Sequence, residues 1–144
     1  MKKYITFILV FMMIAVASVS CFAAATQSLV VDNAGLLSET ERQSLEARLS
    51  EISDKYSADI VVVTENYIGN ATPTEYADDF FDYNGYGRGE NRDGALLLIS
   101  MEDRDWYVST SGSCIDSISY SIVGRRILSD LSDGDYYDAF MSYA

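Results

Sequence analysis

The segment from Asn91 to Gly112 limits the fold of this chain more than any other stretch. Its apolar run from Ala95 to Ser100 is followed by a charged turn and then by an alternating run from Asp105 to Ser111. This pattern is typical of a buried strand that turns back as a half-exposed edge strand. With the turn centred between the two runs, antiparallel pairing places Asp93 opposite Gly112. We therefore expect the two outer corners of the hairpin to meet at one end of the sheet.

The first 25 residues have the form of a secretory signal peptide. Two lysines precede an uncharged apolar run, and the small residues Ala23 to Ala25 supply a cleavage site. An uncleaved anchor is one alternative, although the run is near the lower limit for crossing a bilayer. The other alternative is a lipoprotein modified at Cys21, although residues 18–20 match the motif that precedes a modified cysteine poorly. The sequence predicts export, with a signal peptide over residues 1–25 and one domain over residues 26–144.

Charge and composition argue against several classes of function. Cleavage would remove two of the 10 basic residues and none of the 22 acidic ones, which takes the net charge from −12 to −14. Such a charge argues against nucleic acid and against anionic membrane surfaces as partners. The chain has no histidine, which excludes a histidine-based triad and a histidine-ligated zinc site. Cys114 would be the one cysteine left, and we expect it to be buried rather than exposed as a reactive thiol.

Two capping boxes mark the starts of two helices. Ser38 stands three residues before Glu41, and Thr72 stands three residues before Glu75 with proline at the first helical position. Apolar residues recur at helical spacing after the first box and predict its buried stripe: Leu45, Leu49, Ile52 and Tyr56. The second helix is expected to end near Tyr83.

The remaining pattern predicts an α/β fold. Residues 60–64 are all β-branched and indicate a strand buried on both faces, whereas residues 29–31 leave a first strand doubtful. A third helix is predicted from Ile115 to Leu128, and a fourth over residues 135–143. The order β-α-β-α-β-β-α-α predicts a three-layer sandwich, in which a small mixed sheet has helices on both faces.

Oxygen-bearing side chains gather at the predicted hairpin corner. Asn91 and Asp93 precede the buried strand, and Asp116 follows the edge strand. Calcium takes about six to eight oxygen ligands, so two carboxylates and an amide are a partial set for calcium or another divalent cation. The alternative is structural: Asp93 would hold a turn, and Asp116 would sit favourably near the start of a helix.

The glycine-rich loop before the hairpin carries Arg88 and Arg92. Guanidinium groups suit phosphate and carboxylate, so this loop is a candidate for contact with a ligand or partner. A mobile surface loop is the alternative, and we favour it. The loop is not a P-loop, because it leads into a strand rather than a helix. A cysteine phosphatase loop is also excluded, because Tyr120 stands where its arginine would be.

These motifs, taken in order, resemble the TPM domain family, which is named after a thylakoid lumen protein, a photosystem II protein and a modulator of worm acetylcholine receptors. The resemblance starts at residues 31–38 with Asp32, continues through residues 60–64 and 91–99 and the pair Asp103 and Arg104, and ends at residues 134–140. Asp32, Asp103 and Arg104 are expected to be structural. Ser121 departs from the family, since many members have aspartate there, and this weakens the metal site.

The resemblance implies a fold like the predicted sandwich and several functions. Plant members are described as acid phosphatases and calcium binders, and other members as assembly or repair factors for membrane complexes. We expect an extracytoplasmic module that binds a protein partner at or near the membrane, tuned by a divalent cation. Tethering through sequence beyond residue 144 is part of this expectation. The alternative is a weak metal-dependent acid phosphatase.

Overall fold

The structure is a computed structural model that describes residues 27–144. The predicted signal peptide lies outside the described residues and stays a prediction. Four strands and five helices form within the described range. In chain order they are β1 Val30–Asp32, α1 Glu39–Tyr56, β2 Asp59–Glu65, α2 Pro73–Tyr83, β3 Gly94–Ser100, β4 Asp105–Ser111, α3 Cys114–Ser117, α4 Tyr120–Asp133 and α5 Tyr136–Tyr143.

The sheet is mixed, with the strand order β1-β2-β3-β4. Strands β1, β2 and β3 are parallel, and β4 runs antiparallel to β3 at the edge. Gly94 pairs with Ser111, so the next step along the register brings Asp93 opposite Gly112, as predicted. All seven residues of β3 are buried, which confirms the buried strand of the hairpin.

Helices cover both faces of the sheet. A Cβ atom on Gly94 would lie 2.8 Å from the Phe81 ring, which places α2 on the face toward which Gly94 is directed. Trp106 packs against Gly124 of α4, where a Cβ atom would lie 3.0 Å from the indole. Trp106 pairs with Ile99 of β3, which is five residues beyond Gly94. Because side chains alternate between the faces of a strand, Ile99 and Trp106 lie on the face opposite to that of Gly94. Helix α5 contacts both α1 and α4, so these three helices form one layer and α2 forms the layer on the opposite face of the sheet. With the sheet between them, the helices give the predicted three layers.

Both capping boxes form as predicted. The Ser38 hydroxyl accepts from the Glu41 amide at 3.3 Å, and the Glu41 carboxylate accepts from the Ser38 amide at 2.8 Å. Thr72 and Glu75 repeat this exchange at the start of α2. The predicted stripe of α1 is wrong at its last position, because Tyr56, the last residue of the helix, is 65% exposed.

The predicted third helix is divided into α3 and α4. Ile118 and Ser119 between them have extended backbone, and the Ser117 hydroxyl bonds back to the Ser113 carbonyl at 2.8 Å. Serine side chains that bond to nearby backbone compete with helix propagation. The helix was predicted from Ile115, Ile118, Ile122, Ile127 and Leu128, of which Ile127 is buried whereas Ile115, Ile122 and Leu128 are exposed. Val123 and Gly124 complete the buried face of α4 together with Ile127.

The outer edge of β4 is partly blocked. The Asp105 carboxylate accepts from the Trp106 amide at 2.8 Å, and the Tyr120 hydroxyl donates to the Trp106 carbonyl at 3.5 Å. The Tyr120 ring also stacks on the indole, with 4.2 Å between centroids. None of the helices between residues 27 and 144 is long and apolar enough to cross a membrane.

Asp32 ties β1 to β2 and closes the turn before α1. Its Oδ1 accepts from the Thr64 hydroxyl at 2.5 Å and from the Leu36 amide at 3.0 Å. Its Oδ2 accepts from the Leu37 amide at 2.9 Å. One carboxylate therefore satisfies two backbone donors and a buried hydroxyl.

Replacing Asp32 with alanine should lower the free energy of unfolding by about 2–4 kcal/mol, because three donors lose a charged acceptor. Chemical denaturation measures this change. Asp79→Ala is the matched control, since Asp79 is exposed on α2. The control should stay within about 0.5 kcal/mol of the wild type. Equal stabilities for the two variants would contradict this role of Asp32.

Candidate functional site

The corner beyond the hairpin is organised around Asp93. Its carboxylate Oδ1 accepts from the Ser113 amide at 2.6 Å, and its carbonyl accepts from the amides of Asp59 and Arg88, both at 3.0 Å. Gly112 has a φ of +61°, and a Cβ atom there would collide with the Asp93 carboxylate. The two corners of the hairpin therefore meet as predicted, and the carbonyl and Oδ1 of Asp93 help to hold them together.

The predicted metal ligands are only partly brought together. The Asn91 carbonyl lies near Gly112, beside Asp93, whereas Asp116 is exposed on α3 and makes no hydrogen bond to either residue. Between residues 27 and 144, no group of three or more Asp, Glu or Cys side chains is placed to hold a metal ion. The second carboxylate oxygen of Asp93, Oδ2, forms no hydrogen bond within the described part of the chain. The corner thus supplies fewer oxygens than calcium takes.

Arg88 binds two aspartates of the same chain. Its Nε donates to Asp59 at 2.8 Å, and its Nη1 donates to Asp54 at 2.7 Å. Asp59 also accepts from the Gly87 amide at 2.8 Å. These bonds tie the loop to the C-terminal end of α1 and to the first residue of β2.

Arg92 makes a second set of internal bonds. Its Nη1 donates to Asp82 at 2.8 Å, and its Nη2 donates to the Tyr86 carbonyl at 2.8 Å. Tyr86 is buried, and its hydroxyl donates to the Ser28 carbonyl at 2.7 Å. The loop that was predicted to be mobile is therefore anchored by a buried ring and by two bonded guanidinium groups. The expectation that these arginines contact a ligand or partner remains a prediction.

The hairpin turn holds the two remaining predicted residues. The Ser100 hydroxyl donates to the Asp103 carboxylate at 2.6 Å, which closes the turn across its base. Arg104 has a φ of +50° and completes the reversal of the chain. Its guanidinium forms no ion pair within the described range.

An apolar groove beside the Asp93 corner is the feature that sequence reasoning missed. It has a volume of about 370 Å³ and lies between the C-terminal end of α1, the start of β2, α3, the start of α4 and the end of α5. Its apolar walls include Ile52, Tyr56, Ile60, Ile118 and Ile122. The available signal in the sequence was Ile118 and Ile122, which fall within the predicted third helix but line the groove in the structure.

Two of the side chains that line this groove, Cys114 and Tyr143, carry buried polar groups. Cys114 is buried as predicted, and burial together with the negative charge of Asp93 raises the pKa of its thiol. A thiol held in this form is a poor nucleophile. The Tyr143 hydroxyl is buried without a hydrogen-bond partner among the described residues, and burial raises its pKa. Buried polar atoms are rarely left unpaired, so this hydroxyl needs an explanation.

Solved structures share this fold. The N-terminal domain of a protein from P. gingivalis gives a TM-score of 0.70 at 24% identity, covering 81% of this chain and 76% of that chain. The N-terminal domain of cg2496 from Corynebacterium glutamicum gives 0.64 at 16% identity, covering 81% and 75%. The BA42 protein of Bizionia argentinensis gives 0.61 at 17% identity, covering 75% and 81%. At these identities the likeness shows the fold alone.

Sequence comparison identifies the family. The UPF0603 protein YdjH of Bacillus subtilis strain 168 is 29% identical over 124 residues, covering 84% of this chain and 47% of that protein. The chain thus spans about half the length of this curated relative. Residues 30–144 match the family model of the TPM domain. Because this match extends from β1 through α5, the chain belongs to the TPM domain family.

Proposed function

We propose that this chain is an extracytoplasmic TPM-domain module that binds a protein partner at or near the membrane, in an interaction or assembly role. The observation that carries the proposal is the apolar groove beside the Asp93 corner. Two of its side chains, Tyr56 and Ile122, are 65% and 47% exposed on a strongly acidic protein. Exposed apolar surface rimmed by polar residues favours an interaction site.

Binding is favoured over catalysis by the chemistry of the side chains near the groove. Covalent catalysis needs a nucleophile together with a base that activates it. The chain has no histidine, and the Cys114 thiol is buried with a raised pKa. The Asp93 carboxylate already accepts from a backbone amide. The groove therefore offers a surface for a partner, whereas these side chains do not supply an activated nucleophile.

A divalent cation at the corner is the second part of the proposal. Asp93 Oδ2 and the exposed Asp116 carboxylate have the oxygen chemistry that calcium prefers. They do not fit a complete protein cage, because too few carboxylate oxygens converge. A cation held there would keep most of its water ligands and bind weakly.

Calcium should raise the melting temperature of the mature chain if this part of the proposal holds. Ligand in hundredfold excess over its Kd stabilises a protein by about 2.7 kcal/mol, which is roughly 8–14 °C for a domain of this size. A thermal-shift titration measures the effect. Asp116→Asn should reduce the shift, and Asp79→Asn on α2 should leave it unchanged. No shift in the wild type would remove the cation from the proposal.

A weak metal-dependent acid phosphatase is the rival function. The carboxylates of Asp93 and Asp116 would have to hold its metal ion. Under our proposal the mature chain hydrolyses para-nitrophenyl phosphate no faster than a blank containing the same cation. Hydrolysis that is lost in both Asp93→Ala and Asp116→Ala would support the phosphatase instead. Activity that persists in both variants would point to a contaminating enzyme.

The binding role is tested by photo-crosslinking in the cells that produce the protein. Benzoylphenylalanine is placed in turn at the exposed apolar positions Tyr56, Tyr67, Tyr83, Ile115, Tyr120, Ile122 and Leu128. The proposal expects a discrete adduct with another protein at one position or more, and digestion of the chain by protease added outside the membrane. Absence of adducts at every position, or protection from the protease, would contradict it.

A further inference from the structure

We propose that the outer edge of β4 at residues 108–110, called here the open edge, binds an extended segment of the partner as an added antiparallel strand. A lysine or arginine of that segment lies beside Asp105. This inference rests on the proposed function and gives the partner a second surface besides the groove. Two features carry it: the unpaired backbone groups of the open edge, and the acidic and aromatic corner where β4 begins.

The direction of the backbone groups in β4 follows from the pairing of the sheet. The carbonyl of Asp93, just before β3, accepts from the Asp59 amide of β2. Because these groups alternate along a strand, residues 94, 96, 98 and 100 of β3 are directed to β4, where they pair with residues 111, 109, 107 and 105. The backbone groups of the residues between these, at positions 106, 108 and 110, are therefore directed away from the sheet.

The first of these three outward residues already has its partners. The Trp106 amide donates to the Asp105 carboxylate, and the Trp106 carbonyl accepts from the Tyr120 hydroxyl. The outward amides and carbonyls of Val108 and Thr110 form no hydrogen bond within residues 27–144, although the Val108 side chain belongs to the core. Buried backbone groups are almost always paired, so we take these groups to be paired with water in the free protein.

The open edge is short and has defined ends. Trp106 closes it on one side, and Gly112, with a φ of +61°, turns the chain away on the other. An antiparallel strand exchanges two bonds with each residue opposite, so the open edge offers about four hydrogen bonds to a segment of about three residues. In this mode of recognition the main chain supplies affinity, and side chains beside the edge supply specificity.

The corner where β4 begins favours a basic side chain. The Asp105 carboxylate lies at the edge itself, since it accepts from the outward Trp106 amide, and it forms no ion pair within the described range. The Tyr120 ring is 49% exposed, and its centroid lies 6.2 Å from that of the Tyr107 ring. A lysine or arginine packs its stem on tyrosine rings while its charge reaches the carboxylate.

A second copy of this chain has a suitable strand but the wrong charge. Two copies pair their open edges around Ser109 if nothing opposes them, because positions 108 and 110 are then opposite one another. Each copy carries a net charge of −14 once residues 1–25 are removed, so two copies repel one another. Self-pairing is therefore an outcome of the test rather than the occupant we propose.

Amide hydrogen exchange tests whether the edge is open. In the free protein, the amides of Val108 and Thr110 should exchange at least about tenfold faster than those of Tyr107 and Ser109, because the latter pair are bonded to β3. NMR spectroscopy of the mature chain measures the four rates. Equal protection of all four amides would overturn the proposal.

Binding is measured by NMR titration with a defined probe, the acetylated and amidated peptide Thr-Val-Thr-Val-Lys. We expect shifts at residues 108–112 and slower exchange of the two outward amides. N-methylation of both valines, or of both threonines, separates strand pairing from adsorption, since only alternate amides of a strand are directed to the edge. One methylated peptide should bind like the parent and the other at least about tenfold more weakly. Equal affinities, or shifts confined to other surfaces, would overturn the proposal.

The position of the basic side chain is tested with a matched peptide that has glutamate in place of lysine. The lysine peptide should bind at least about threefold more tightly. Asp105→Asn keeps an oxygen for the Trp106 amide and should remove this preference. Asp79→Asn, which makes the same change of charge on α2, should retain it. Preferences that are equal in the two variants would overturn the assignment of Asp105.

Crosslinking in cells separates failure of this inference from failure of the proposed function. Benzoylphenylalanine is placed at Ser111, which is half-buried at the end of β4. We expect a partner adduct that is lost in Thr110→Pro and kept in Thr110→Val, because proline removes an outward amide and leaves the bonds to β3 in place. Adducts from the groove positions 56 and 122 alone would overturn the edge and leave the partner in place. An adduct of the chain with itself would overturn the proposed occupant, and no adduct at any position would overturn both.

Discussion

The hydrogen bonds of Asp93 are the constraint on which the rest of this structure depends. Its backbone carbonyl accepts from Asp59 at the start of β2 and from Arg88 in the loop, and its carboxylate accepts from Ser113 before α3. One residue thus fixes the entry to β3, the position of the loop and the direction of the chain after β4. The corner also positions one part of the groove wall, which includes Ser113 and Cys114.

The hairpin and the helix starts were predictable because their signals are local. Alternation with a period of two fixes the face of each residue in β4, and a capping box satisfies its own donors within four residues. The division between α3 and α4 was not predictable by spacing, since Ile118 and Ile122 keep helical spacing across a break. Apolar periodicity identifies a face but does not say whether another element covers it.

The candidate site was harder to predict than the fold for a related reason. Asn91, Asp93 and Asp116 share a corner in the predicted register, but their oxygens are directed by bonds that the sequence does not display. The groove needs residues from α1, β2, α3, α4 and α5, which are separated by up to about ninety positions. Such non-local facts appear only when the chain is folded.

The blocked edge of β4 bears on the behaviour of this protein in a crowded environment. An exposed edge strand offers unpaired amides and carbonyls to any extended chain that comes near. Here Asp105 occupies the Trp106 amide and Tyr120 occupies its carbonyl, while the stacked rings stand over the strand. Strand-by-strand growth into fibres is thereby discouraged at the end where β4 begins. The edge of the sheet is thus protected where β4 begins, whereas apolar side chains remain exposed at the groove.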